Sequence, residues 1–183
     1  MSASWQEKIA FLESFDAGAK AHTNGALLQH LIGTHDLLKK WQCRTVVCEA
    51  GLFHSIYGTE RFEEATVPLT ERHVVRELIG EEAEYLAWLF CLADSESFNE
   101  NLTRIGGFRV RERTEGETIH LSNEEWRDLS LLTFANAFEA IPRVGWRVRR
   151  NIRSYLDRLD HFVPPSAQQA LHGVLPPWWQ FWK

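Results

Sequence analysis

The sequence predicts a mostly α, single helical-bundle domain that carries one small β-hairpin near residues 106–121. Three observations predict it. Apolar residues recur at three- and four-residue spacing through the first hundred positions, the mark of helices that bury one face. The period changes to two at Gly106, in GFRVRERTEGETIHLS, which is strand alternation around a turn. The helical period resumes behind Ser122, with Glu125 three residues later, the pattern of a capping box.

Taken in order, residues 4–18 place Trp5, Ile9, Leu12 and Phe15 at helical spacing. A second helix is expected from Asn24, a good N-cap residue, to about Trp41, with Leu27, Leu31, Thr34 and Leu38 as its core stripe. A third runs from about Arg44 to Tyr57 along Val47, Ala50, Gly51 and His54. Gly51 inside a helix costs about 1 kcal/mol against Ala, and a close helix–helix approach is the reason to carry it. Residues 58–69 read as a loop, and a short helix follows from Thr70 as N-cap to Ile79, with Gly80 as its stop. Glu81 to about Asp94 is a helix whose first turn carries three acids, which suits the macrodipole. In the hairpin, Phe108, Val110, Thr118 and Ile119 mark the strands and Thr114–Gly116 the turn; such a hairpin needs the helical body for support. A helix from Asn123 to Ala140 ends at Pro142, an arginine-rich helix runs to about Leu159, and a short helix covers 166–172. The domain is read as 1–175, followed by a Trp-rich tail, 176–183.

With 183 residues, 44% hydrophobic and 25% charged, the chain has enough apolar mass for one real core, which excludes wholesale disorder. The net charge of −5 weighs against nucleic-acid partners and against an anionic membrane. No stretch of 18 apolar residues is present, and the acid-bearing N-terminus does not read as a signal peptide. Cys43, Cys48 and Cys91 form no CxxC pair, which points to packing in a reducing compartment, so a cytoplasmic location is expected.

Two segments carry the candidate chemistry, NGALLQHLIGTHDLLKKW and CEAGLFHSIYGTE. Each places a histidine, His30 or His54, on the core line of a helix. A buried imidazole must satisfy both ring nitrogens, either by hydrogen bonds or by a metal ion bound to its neutral form. Asp94 closes the apolar run YLAWLFCLAD and reads either as a helix cap or as a third ligand. Two neutral imidazoles and one carboxylate leave open positions on a divalent transition ion (Mn, Fe, Co or Zn), as a catalytic site requires.

The order of these residues resembles the helical HD-domain superfamily of metal-dependent phosphohydrolases, including alarmone hydrolases, with an offshoot of the myo-inositol oxygenase type. The resemblance covers about 40% of the chain, residues 24–96, through AGLFHS, the histidine 24 residues earlier and the later LAD. It implies His30, His54 and Asp94 as metal ligands. It departs at Ser55, where the family carries a metal-binding Asp; a hydroxyl is a poor replacement, which leaves a one-metal site or a degenerate one. His73 stands among Glu71, Arg72 and Arg76 and reads as a solvated position.

Around that site, Glu60 is a candidate general base and Tyr57 a second catalytic candidate. Ser55, Thr59, His35 and Asn136 are candidate substrate contacts, with Glu139 a further polar residue in the same apolar helix as Asn136. The arginines between 143 and 153 read either as an anion-attracting group or as a solvated face paired with Asp157 and Asp160. The expected function is metal-dependent hydrolysis of a small phosphorylated or nucleotide-like molecule. The alternatives are iron-dependent oxidation of a small polar molecule, or a non-catalytic binding module. The expected partner is a small-molecule substrate, with no nucleic acid and no membrane, and with self-association through the Trp-rich tail as an option.

Overall fold

The computed structural model describes residues 3–14, 24–60 and 62–174. Its chain order is α1 (Trp5–Ser14), α2 (Asn24–Lys40), α3 (Thr45–Phe53), α4 (Arg72–Ile79), α5 (Glu81–Leu92), α6 (Ser95–Glu100), β1 (Arg109–Arg111), β2 (Thr118–His120), α7 (Asn123–Ala140), α8 (Trp146–Leu159) and α9 (Pro165–Val174). The protein is mostly α with one antiparallel hairpin, as the periodicity predicts. No described helix is long and apolar enough to cross a membrane.

Helix α3 is the centre of the bundle. Val47, Cys48, Ala50, Gly51, Leu52 and Phe53 are all buried, with Glu49 the polar exception, paired to Lys8 of α1, and the helix is packed by α2, α5 and α7. Gly51 performs the role its sequence position suggests: a Cβ there would lie 2.6 Å from Leu38 Cδ1 on α2. The predicted stripe of α2 is the observed one, with Leu31, Thr34 and Leu38 buried. Trp41 closes that stripe by meeting Phe134 and Phe138 of α7 edge-on, at ring distances of 5.7 and 5.4 Å. Each such fully buried large side chain contributes about 1.5–3 kcal/mol through area removed from water.

Glu84 joins three elements. Its side chain is wholly buried on α5, yet it accepts hydrogen bonds from Tyr57 Oη (2.9 Å), Arg72 Nε (2.6 Å), Arg72 Nη2 (2.9 Å) and Arg76 Nε (3.0 Å). Burial pushes its pKa up, but the bonds from Arg72, Arg76 and Tyr57 outweigh it and hold the carboxyl below its ordinary value.

The hairpin pairs Arg109 with His120, Val110 with Ile119 and Arg111 with Thr118. Its turn is built on Glu112, whose carboxylate accepts from the Thr114 and Glu115 N–H groups and from the Thr114 hydroxyl. Phe108 stacks on Trp126 of α7 at 5.1 Å, and Phe162 meets Trp126 edge-on at 5.5 Å, so the hairpin rests on the helical body.

Several boundaries differ from the sequence reading. The first helix is described to Ser14, and the expected residues 15–18 lie outside the described residues, as do His22 and the 176–183 tail. Helix α3 stops at Phe53, and residues 54–57 form a turn that carries His54 off the helix end. Thr70 is not a cap: a 3-10 turn (Leu69–Glu71) leads into α4 at Arg72. The fifth helix stops at Leu92 because Ala93 is extended and bridges Glu112 of the hairpin. Asp94 then opens α6, a helix the periodicity did not reveal, because six residues are too few to display a period. The capping box at Ser122 and Glu125 is present in both directions.

Candidate metal centre

Four side chains from three elements meet where α2, the end of α3 and the last turns of α7 come together. His30 projects from α2 and His54 follows the last residue of α3. Asn136 and Glu139 stand three apart on α7 and therefore share a face. His30 Nε2 lies 3.2 Å from His54 Nε2 and 2.9 Å from Asn136 Oδ1, and His54 Nε2 lies 3.1 Å from the same oxygen.

The other nitrogen of each ring fixes its tautomer. His54 Nδ1 donates to the Gly51 carbonyl at 2.7 Å, and a carbonyl only accepts, so the proton sits on Nδ1. The ring is fully buried, with its edge on Phe90, and its backbone carbonyl accepts from Cys91 Sγ at 3.0 Å. Burial, with the nearby His30, pushes the His54 pKa down to about 4, so at neutral pH its Nε2 is a bare lone pair. His30 Nδ1 donates to the Glu139 carboxylate. That carboxylate is also gripped by both Nη atoms of Arg143. Burial raises the Glu139 pKa, but the bonds from His30 and Arg143 prevail and hold it at about 2. With its proton on Nδ1, the His30 ring, in the neutral form that a metal takes, also turns a lone pair inward.

Three electron-pair donors thus converge with no hydrogen between them. Neutral imidazole nitrogens and an amide oxygen suit a divalent first-row ion. Donors bound at about 2.1 Å and at right angles stand about 3.0 Å apart, which is the spacing of these three atoms. Glu139 behind His30 and the Gly51 carbonyl behind His54 are the outer partners that metal-binding histidines need. The same cluster also closes without a metal when the Asn136 amide is turned end for end, so that Nδ2 donates to both rings. Gly33 makes the approach of Glu139 to α2 possible, since a Cβ at residue 33 would lie 2.9 Å from Glu139 Oε1.

The structure brings together His30, His54 and Asn136, named from sequence as site candidates, and joins to them Glu139, noted there only as a polar neighbour, and Arg143, noted there only as one of an arginine group. Asp94 serves elsewhere: its carboxylate accepts from the Ser97 N–H at 2.9 Å and caps α6. Tyr57 turns its hydroxyl to Glu84, and burial raises its pKa well above the usual phenol value. Glu60 binds the start of α6, accepting from the Ser95 N–H at 2.9 Å and the Ser95 hydroxyl at 2.6 Å. Thr59 closes a local turn with Phe62. His35 is buried and lies against Trp5 of α1 at 4.8 Å between rings, with Nδ1 on Asp36. Ser55 is buried next to His54, and His73 is exposed. The signal for Glu139 and Arg143 was present in the sequence: an Asn, a Glu and an Arg spaced 136, 139, 143 along one helical line.

A second group of acids, Glu82, Glu124 and Asp128, brings its oxygens within 4.8 Å of one another. Arg44 already pairs with all three. Burial pushes the Asp128 pKa up to about 6 against the pull of Arg44.

No curated protein and no solved structure matches the chain. Residues 11–95, just under half of the chain, match a family described as Domain of unknown function (DUF6817), a span that takes in His30 and His54 and ends before Asn136 and Glu139.

Proposed function

We propose that this protein is a metal-dependent enzyme acting on a small molecule, with one divalent transition ion held by His30, His54 and Asn136. The observation that carries the reading is the convergence of three lone-pair atoms within 2.9–3.2 Å, from two imidazoles whose outer nitrogens are already committed. The resemblance to HD-domain phosphohydrolases supplies the reaction class, hydrolysis of a phosphorylated or nucleotide-like substrate in the cytoplasm. A bound divalent ion supplies polarisation of a phosphoryl oxygen and activation of water. The chain's own part is to hold both rings in one tautomer, to exclude water behind His54, and to keep Glu139 ionised beside His30. Asn136 takes the ligand place expected of Asp94. A second reading, iron-dependent oxidation of a small polar molecule, draws on the same two histidines, with the Asn136 amide oxygen standing where non-haem iron sites carry a carboxylate.

The test is elemental analysis of protein purified without chelator and then loaded with Mn, Fe, Co or Zn. The expected result is close to one ion per chain, lost in His30→Ala and His54→Ala proteins that remain folded by circular dichroism. Phosphate release supported by Mn, Co or Zn selects hydrolysis, whereas oxygen consumption with iron selects oxidation. No bound ion under any loading condition leaves the turned-amide cluster and a non-catalytic binding module.

A further inference from the structure

Two aromatic side chains on the described surface stand more than half in water, Phe62 at 65% and Trp146 at 67% exposed. Each is set among charges of one sign. Phe62 lies in the run ERFEE, of net charge −2, with Glu63 and Glu64 both exposed. Trp146 opens α8 in the run WRVRR, of net charge +3. The guanidinium carbons of Arg147 and Arg150 lie 5.7 and 5.8 Å from its ring centre, and Val148 beside them is 48% exposed. Among the described residues, no ion pair engages Glu63, Glu64, Arg147 or Arg150.

Both groups lie at one end of the bundle. Arg44, just ahead of α3, pairs with Glu82 at the start of α5 and with Glu124 and Asp128 at the start of α7. At the other end, His54 meets Asn136 late in α7 and Cys91 late in α5. The three helices therefore run parallel, and the chain leaves α3 toward Phe62 and α7 toward Trp146 from the same end. Arg113 donates to the Gly58 carbonyl at 3.1 Å and ties the Phe62 loop there. Arg149 donates to the carbonyls of Val144 at 2.8 Å and Pro142 at 3.1 Å and fixes the start of α8.

We infer that this end is a two-fold interface with a second copy of the chain, in which the Phe62 loop of one protomer seats on the Trp146 face of its partner. The reverse contact forms across the axis. A foreign partner needs one patch; here both halves of a contact stand on one chain, and a two-fold axis makes that contact twice. Glu63 and Glu64 then oppose Arg147 and Arg150 while both rings leave water, the aromatic and arginine chemistry of interface centres. The inference does not rest on the metal reading, and it places self-association on the body of the molecule rather than on the 176–183 tail.

The test is analytical ultracentrifugation of the full chain in a concentration series up to about 100 μM. The expected result is a monomer–dimer equilibrium that weakens about ten-fold or more between about 0.05 and 0.5 M salt. Two charge-reversed proteins, Arg147→Glu with Arg150→Glu and Glu63→Arg with Glu64→Arg, should each be monomeric and folded by circular dichroism. Mixed, they should form a dimer with one chain of each. Trp146→Ala, which keeps the charges, should also weaken the parent dimer. Reversed proteins that stay monomeric when mixed, or a parent that grows past the dimer, overturn the interface. So does a dimer indifferent to salt, a result that decides even where a reversed chain does not fold, and so does a dimer lost only when residues 176–183 are removed. A parent monomeric throughout overturns it as well, and sedimentation of that monomer with phosphatidylserine vesicles assigns the Trp146 face to an anionic surface instead.

Discussion

Glu139 has two partners on one carboxylate, the His30 ring on one side and the Arg143 guanidinium on the other. Its pKa is held at about 2 in the fold and returns to 4.5 when the chain unfolds. A depressed carboxyl contributes stability that is fully present above pH 4.5 and is lost as pH falls toward 2. Glu84 acts in the same direction. Acid unfolding followed by circular dichroism should therefore be steep in this window, and shallower for Glu139→Gln; identical slopes would count against the ion pair. Tyr57 provides a contrast. Tyr57→Phe removes one of the four hydrogen bonds to the buried Glu84 carboxylate, so a loss of about 1–2 kcal/mol is expected in urea, with metal content unchanged. A drop in metal content would return Tyr57 to the site.

At the scale of elements, the site depends on how closely α2 approaches α3 and α7. Two glycines set these approaches. Gly51→Ala drives a methyl to 2.6 Å from Leu38 Cδ1, whose side chain is fully buried and has nowhere to retreat. The expected cost is about 1–3 kcal/mol, as for other overpacked cores, read as a lower denaturant midpoint. Gly33→Ala meets Glu139 instead, at 2.9 Å from Oε1. That change should displace Glu139 from His30, weakening metal binding while the melting temperature moves little. Equal metal affinity in Gly33→Ala and the parent would detach Glu139 from the function of the cluster. The Ser122 capping box secures the far end of α7, and Ser122→Ala should cost about 1 kcal/mol without touching the metal.

For the whole molecule, α7 is the common axis. It supplies Trp126 to the hairpin, Phe134 and Phe138 to Trp41, and Asn136 and Glu139 to the site. The hairpin is held by aromatic stacking at Phe108 and by Arg113, which donates to the carbonyls of Cys91 and Gly58, both at 3.1 Å. Phe108 is only 5% exposed, so Phe108→Ala should cost about 3–5 kcal/mol and loosen β1 and β2 first. Hydrogen exchange at Val110 and Ile119 rising ahead of exchange in α3 is the expected signature; uniform exchange through the molecule would make the hairpin part of the central core.

Read alone, the sequence determined the helices with long periodic faces, the change of period at the hairpin, the capping box at Ser122, the close approach at Gly51, and the inward placing of His30 and His54. All of these follow from local spacing, which a chain displays without folding. Only the tertiary structure decided which polar residue meets the two rings. Asn136 lies 82 positions beyond His54, and nothing in local periodicity ranks it above Asp94, which is 40 positions away and ends an equally apolar run. The choice was made by the stop at Leu92, where the chain leaves the helix to bridge the hairpin and commits the Asp94 carboxylate to α6, while the last turns of α7 pack against α2. A ligand set is a meeting of side chains from distant segments, and it is the packing of helices, not their pattern, that settles who arrives.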